Sequence, residues 1–479
     1  MEYKKEDLIT LKIESMGTEG EGIGKIDGFP FFIKDAVTGD TVTAKVMKVK
    51  KNYAFARLME VLVPSPYRVT PSCPSARACG GCQIQQVSYE EQLRFKSHKV
   101  FHNLHRIGGV PKETLEEIFE PIIGMENPWR YRNKAQYPVG YDKEGRIIAG
   151  FYAGRTHSII LCGDCLLGPQ HHRQILDAVI AWMEQYHILP YDEKSGQGFV
   201  RHILIREGFA TGEIMVCLVL NREFEILSES DKECRHKELL QGQTALISAL
   251  CKISGVCSIV LNSNTSRTNV ILGTKCRTIY GKDFIEDVLL NLRFRISPLA
   301  FYQVNPVQTA KLYQTALDFA DLTGNEEVWD ICCGIGTITL FLAQKAGFVH
   351  GLEIVPEAIE DAKINADMNH ISNVEFIAAP AEEYMPKHRD SIKADVIVVD
   401  PPRKGMDERS LEVMTQMSPS KIVYVSCDSA TLARDVKYLC EKGYELSRVR
   451  AVDMFPMTGH VETVCLLSHK ISISKEFRR

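Results

Sequence analysis

With 479 residues, the chain is longer than one ordinary domain; its 45% apolar and 25% charged residues are those of a globular protein, not a disordered or fibrous one. No apolar run is long enough for a transmembrane helix, and the N-terminal MEYKKEDLITLKIES lacks the apolar core of a secretory signal, so the expected location is cytoplasmic. A net charge of −4 argues only weakly against a nucleic-acid partner, since local patches govern binding, and the 15 cysteines should be thiols or metal ligands rather than disulfides.

Residues 5–62 read as a small all-β unit of about five short strands, among them LITLKIESM, GFPFFIKDAV, DTVTAKVMKVK and YAFARLMEVL, which suits an OB-like barrel. Lys45, Lys48, Lys50, Lys51 and Arg57 lie late in it with Tyr53 and Phe55 interleaved. That mixture fits a single-stranded nucleic-acid surface, and equally a solvated edge strand. Pro64, Pro66 and Pro71 lead into a cysteine segment, after which residues of about 88–120 read as helical and are expected to pack on the catalytic domain. The stretch of about 121–290 mixes strands and turns. From about 291, VWDICC, FVHGLEIV, VEFIAA, ADVIVVDPP and KIVYVSC alternate with helices, the pattern of a Rossmann-like α/β domain. The expected fold is therefore multidomain: a barrel at 1–64, a central α+β domain at 65–290 and an α/β domain at 291–479.

VWDICCGIGTITLFLAQKAG reads as strand, glycine turn and helix, with Gly334 and Gly336 allowing a tight turn before a helix starting near Thr337. Glu353 ends the next strand, where a carboxylate accepts hydrogen bonds from ribose hydroxyls. The third glycine of a dinucleotide fingerprint is missing, so an adenosine cofactor without pyrophosphate, S-adenosylmethionine, fits better. Asp400 opens the rigid Asp400-Pro401-Pro402-Arg403 loop at the carboxyl end of a strand, where ligands of open α/β sheets gather. Cys427 ends the following strand on the same rim, placing a thiol where it can attack an electrophilic carbon. Glu462, in a final strand two residues after His460, is a candidate general base.

Cys73, Cys79 and Cys82, spaced CxxxxxCGGC among Pro and Gly, point to a metal site whose fourth ligand is Cys162 or Cys165. Ligand count alone suits zinc or an iron–sulfur cluster. The CxxxCxxC loop of radical S-adenosylmethionine enzymes has a shorter first gap.

FYQVNPVQ at 301–308, DICCGIGT at 330–337, DPPRKG at 400–405, VSCDSATLARD at 425–435 and HVETV at 460–464 together resemble the bacterial RNA uridine-5 methyltransferases, specifically the iron–sulfur branch acting on 23S ribosomal RNA. The resemblance covers essentially the whole chain and makes the first unit similar to that family's TRAM domain. It implies that Gln303, Cys332, Thr337, Glu353 and Asp400 line the S-adenosylmethionine site, that Cys427 is the nucleophile and that Glu462 is the base. It also implies a 4Fe-4S cluster on Cys73, Cys79, Cys82 and Cys165, with 23S ribosomal RNA as partner; no membrane partner is expected from the lack of a long apolar run, and no obligate protein partner is evident in the sequence. Three positions depart from the family pattern. Cys332 replaces an aromatic residue and Thr337 a frequent Asn, while Asp428, often Asn in relatives, puts a carboxylate beside the nucleophile that Arg434 is a candidate to offset. Alternatives are a transfer RNA version of the enzyme and a noncatalytic RNA-binding assembly factor; the pairing of Cys427 with Glu462 argues against the latter.

Overall fold

In the computed structural model, which describes residues 3–154, 156–224, 239–388 and 393–470, the N-terminal alternation closes on itself as a barrel. Its strands are β1 (Leu8–Met16), β2 (Gly22–Ile26), β3 (Phe29–Lys34), β4 (Thr41–Val49) and β5 (Ala54–Val63), neighbours in the order β1-β2-β3-β5-β4. Alternate residues such as Leu11, Ile13, Phe31, Ile33, Val42 and Ala44 fill its core, and closure leaves no edge to aggregate. Gly24 is required by a close crossing, since a β-carbon there would lie 2.4 Å from the Lys12 carbonyl oxygen. The expected barrel is present. On its outside, Phe32, Tyr53 and Phe55 cluster with ring centroids 5.4–5.8 Å apart, Tyr53 edge to face with the other two, near the exposed Lys48, Lys50 and Lys51. Lys45 is set apart from this basic strip by its ion pair with Glu6.

Contacts divide the chain into two compact units that interleave along the sequence: 1–128, 314–321 and 388–479 in one, 129–313 and 322–387 in the other. In the first unit, buried Asp40 ties the barrel to the linker, accepting from Val37 and Ser65 N–H and from the Arg68 guanidinium at 2.6 Å. Helix α1 (Tyr89–Arg106) ends before paired glycines, as its sequence requires, and packs on the helix Ser429–Glu441. Asn103 Nδ2 donates to Ser429 Oγ at 2.8 Å in that contact.

Two helices fill most of the stretch of about 88–120 that the sequence reads as helical. Helix α2 (Lys112–Ile118) stops, and Phe119–Ile123 becomes a strand parallel to Tyr444–Val452. Pro121 cannot donate to a helical ladder, and the apolar residues around it gain a sheet neighbour instead. Within this unit, Val396–Val399 lies parallel to Lys421–Ser426. The final strand, Glu462–His469, runs antiparallel between Lys421–Ser426 and Tyr444–Val452.

The second unit holds a mixed seven-stranded sheet whose central strands, Val200–Glu207 and Ile214–Leu220, are buried almost throughout. Helices His172–Gln185 and Gln243–Leu250 pack on it through Ile175, Val179, Met183 and Leu246. The unit also holds the parallel strands Glu327–Ile331, Phe348–Glu353 and Val374–Ala378 with helices Thr337–Ala343 and Pro356–Met368, as the alternating apolar runs require. No helix among the described residues is long and apolar enough to cross a membrane.

Candidate active site

Strand register brings the nucleophile and base candidates together. Ser426 pairs with Thr463, so Cys427 and Glu462 are the next residues on adjacent strands, at the carboxyl rim of Lys421–Ser426. Glu462 is 3% exposed. Asp400 follows Val396–Val399 on the same rim. Burial, then the neighbouring Glu462 and Asp400, push the Cys427 thiol up to about 11; Arg403 opposes them. Burial and Asp400 likewise raise the Glu462 carboxyl well above the usual carboxylate range, again opposed by Arg403.

Arg403 is the functional candidate that sequence reasoning missed. Its signal was in plain view, in the same DPPRKG loop as Asp400, but its proximity to Cys427 and Glu462 depends on the fold. As the cation that favours both charged forms, it should set the thiolate fraction of Cys427. We expect Arg403→Gln to move the alkylation profile of Cys427 by iodoacetamide to higher pH. The rate at pH 8 should fall about tenfold if the thiol titrates one pH higher than in the parent. A profile unchanged from the parent would remove Arg403 from this role.

Arg434, the candidate partner of Asp428, makes its contacts elsewhere. Asp428 caps the helix Ser429–Glu441, its Oδ1 accepting from Ala430 and Thr431 N–H at 2.9 and 3.1 Å. Arg434 instead binds buried Asp435 at 2.7 Å and donates to the Lys404 and Met406 carbonyls. Asp435 also accepts from Met406 N–H and from the Tyr424 hydroxyl at 2.6 Å. Thr431 Oγ1 donates to the Arg403 carbonyl at 3.1 Å, so this helix anchors the loop that carries Arg403.

In the other unit, the glycine turn follows Glu327–Ile331, and Gly336 caps the helix Thr337–Ala343 with φ +80°. Cys332 takes φ +69° and, with Cys333, donates its N–H to the Leu352 carbonyl. Glu353 accepts Gly334 N–H at 3.1 Å and Val355 N–H at 3.0 Å, one on each oxygen. Open space adjoins the α-carbon of Gly334. Asp330 is fully buried; Thr339 Oγ1 donates to its Oδ2 at 2.6 Å while its Oδ1 has no partner, and burial raises its carboxyl to about 7. An open cradle over Gly334, an orphaned carboxyl oxygen and a carboxylate at the strand end fit the amino acid and ribose ends of S-adenosylmethionine. Thr337 Oγ1 lies 3.3 Å from the Tyr313 hydroxyl, a partner that sequence alone did not reveal. Gln303 is buried in the same unit, its carbonyl accepting from Asn133 Nδ2 at 2.9 Å.

The cysteine reading meets a different outcome. Cys73, Cys79 and Cys82 are half-buried in one unit and Cys165 in the other. A hydrogen bond from Cys162, helped by Leu167 and Gly168 N–H and by Arg132, holds the Cys165 thiol below the usual thiol range. Thiolates of this kind suit an iron–sulfur cluster chemically. Among the described residues, however, no three His, Cys, Asp or Glu side chains converge as metal ligands.

One unit thus carries a glycine turn closed by a carboxylate, which suits a nucleoside cofactor, and the other a thiol beside a buried carboxyl, which suits nucleophilic and acid–base chemistry. Comparison with known proteins makes the class specific. The TRAM domain profile matches residues 7–59, and the family described as tRNA (Uracil-5-)-methyltransferase matches residues 260–470. A Clostridium tetani protein named as an uncharacterized RNA methyltransferase is 47% identical over 97% of both chains. A Listeria innocua protein of the same description is 46% identical, over 98% of this chain and 99% of its own. The Pyrococcus abyssi tRNA (uracil-54, C5)-methyltransferase, solved with S-adenosyl-L-homocysteine, shares 27% identity and a TM-score of 0.74 across 96% of this chain and 99% of that one. The chain belongs to the RNA uracil-5-methyltransferase family, with an N-terminal TRAM domain and an S-adenosylmethionine-dependent methyltransferase fold at its C-terminus.

Proposed function

We propose that this enzyme makes 5-methyluridine in 23S ribosomal RNA, in the cytoplasm, with Cys427 as nucleophile and Glu462 as base. The observation that carries this reading is the register that sets Cys427 beside buried Glu462, with Asp400 and Arg403 as electrostatic neighbours. Carbon 5 of uracil is a poor nucleophile. Addition of the Cys427 thiolate at carbon 6 generates an enolate and makes carbon 5 reactive. S-adenosylmethionine supplies an electrophilic sulfonium methyl, leaving as S-adenosylhomocysteine when carbon 5 takes it. Glu462 then accepts the carbon 5 proton, and the electron pair of that bond expels Cys427 as thiolate. Arg403 favours the thiolate at the start and its departure at the end. Glu353, Thr337, Cys332, Gln303 and Asp400 are assigned to cofactor binding. A stacked uridine must be turned out to reach the thiol.

The barrel supports an RNA partner through its exposed lysines beside Phe32, Tyr53 and Phe55. A transfer RNA substrate is the second reading, favoured by the match to the Pyrococcus abyssi enzyme. Mass spectrometry of RNA from a deletion strain decides between them. We expect one or more 5-methyluridines to vanish from 23S ribosomal RNA while transfer RNA is unchanged; the reverse would establish the transfer RNA reading.

We further propose a 4Fe-4S cluster on Cys73, Cys79, Cys82 and Cys165; the cysteine spacing supports a metal site, and the family resemblance implies the cluster rather than zinc and Cys165 rather than Cys162. No step of the reaction passes through it. Anaerobically purified protein should be brown with about four irons per chain, and Cys165→Ser should release the iron while Cys162→Ser keeps it. A colourless, iron-free preparation would overturn the assignment.

A further inference from the structure

One face of α1 grips the chain segment that leads into Glu462. Lys96, fully buried, donates to Asp453 Oδ1 at 2.5 Å and to the Phe455 carbonyl at 2.9 Å. Gln92, also fully buried, accepts the Met457 N–H at Oε1 at 3.0 Å, and its Nε2 donates to Met457 Sδ at 3.3 Å. Lys99 donates to the Gly459 carbonyl at 3.0 Å and to the Thr18 carbonyl of the barrel at 3.1 Å. Tyr89 adds a hydroxyl on Asp453 Oδ2 at 2.9 Å. Positions 89, 92, 96 and 99 recur at the spacing of a single helical face. Their contacts fall on 453, 455, 457 and 459, alternate positions of the segment.

The gripped segment is strained. Met457 has φ +68°, a left-handed conformation costly for a residue with a β-carbon and kept only where neighbours over-determine it. Its N–H is held by Gln92, and its carbonyl accepts from Gln83 and Ile84 N–H at 3.0 and 3.2 Å. Gly459 is boxed in as well, since a β-carbon there would lie 3.1 Å from the Thr18 carbonyl oxygen. These restraints are concentrated just before the strand that begins at Glu462.

We propose that Gln92, Lys96 and Lys99 are positioning residues for Glu462, fixing the path of 453–459 and thereby the point at which the carboxyl enters the site. Through Lys99, the β1–β2 turn of the barrel shares in that placement. The proposal rests on the reading of Glu462 as the base. A role confined to fold stability would instead lower melting temperature and depress every step together.

Gln92→Leu, Lys99→Met and Lys99→Arg are compared with Glu462→Gln in single-turnover reactions on mixed unmodified 23S ribosomal RNA and transfer RNA transcripts. Adduct formation and adduct release are followed separately on denaturing gels. In Gln92→Leu and Lys99→Met, adduct should form within about twofold of the parent rate. Its release should slow about 10- to 100-fold, the range a displacement of about 1 Å produces. Lys99→Arg should restore release. Release at the parent rate, or equal slowing of both steps, would overturn the positioning role. Normal turnover by Glu462→Gln would overturn the base assignment instead. If Gln92→Leu does not fold, the two variants of partly exposed Lys99 carry the test by the same criteria.

Discussion

Cys427→Ala should bind S-adenosylmethionine as the parent does, form no covalent RNA adduct and lose methylation by at least about 10⁴-fold, the scale on which removal of an enzymic nucleophile acts. The glycine turn and Glu353 are held by their own backbone hydrogen bonds, none of which involves Cys427, so binding of the cofactor should survive the substitution. Calorimetry with S-adenosylmethionine and a denaturing gel with RNA separate the two effects. Methylation that survived the substitution would refute addition of Cys427 at carbon 6.

Glu462→Gln should fail in the opposite manner. Thiol addition and methyl transfer still occur, but the carbon 5 proton has no acceptor, and overall turnover falls by about 10²- to 10⁴-fold. Methylated RNA then stays bonded to Cys427 and migrates with the protein under denaturing conditions. The amide fills the same buried site as the carboxyl and brings no charge into it, so folding should be preserved. Normal release from this variant would pass the role of base to another group near the cleft, His460 being the nearest candidate in sequence.

The amino-acid sequence on its own determined the local elements. Strict alternation over the first strands demanded a two-sided sheet with one buried face, and a 3.6-residue period ending in paired glycines demanded α1. Apolar strands alternating with helices demanded an α/β layer, and motifs at strand ends named Cys427, Glu462, Asp400 and Glu353. These follow from periodicity and turn chemistry, which act over a few residues. Element ends were less legible: the boundary near residue 120 between helix and strand is set at Phe119, where a neighbouring strand pairs with Phe119–Ile123.

Only the tertiary structure decided which of these residues meet. The last strand inserts antiparallel beside Lys421–Ser426, and this register, not sequence distance, sets Glu462 next to Cys427. Arg403 gained its influence on both groups, and Arg434 was diverted to Asp435, by the same folding of distant segments onto one rim. The thiols of the CxxxxxCGGC segment show the converse, since ligand spacing alone did not bring three donors to a point among the described residues. Local pattern selects an element because its hydrogen bonds and buried face are close in sequence. Partners drawn from opposite ends of the chain, such as Lys96 and Asp453, are selected by packing that no short window of sequence contains.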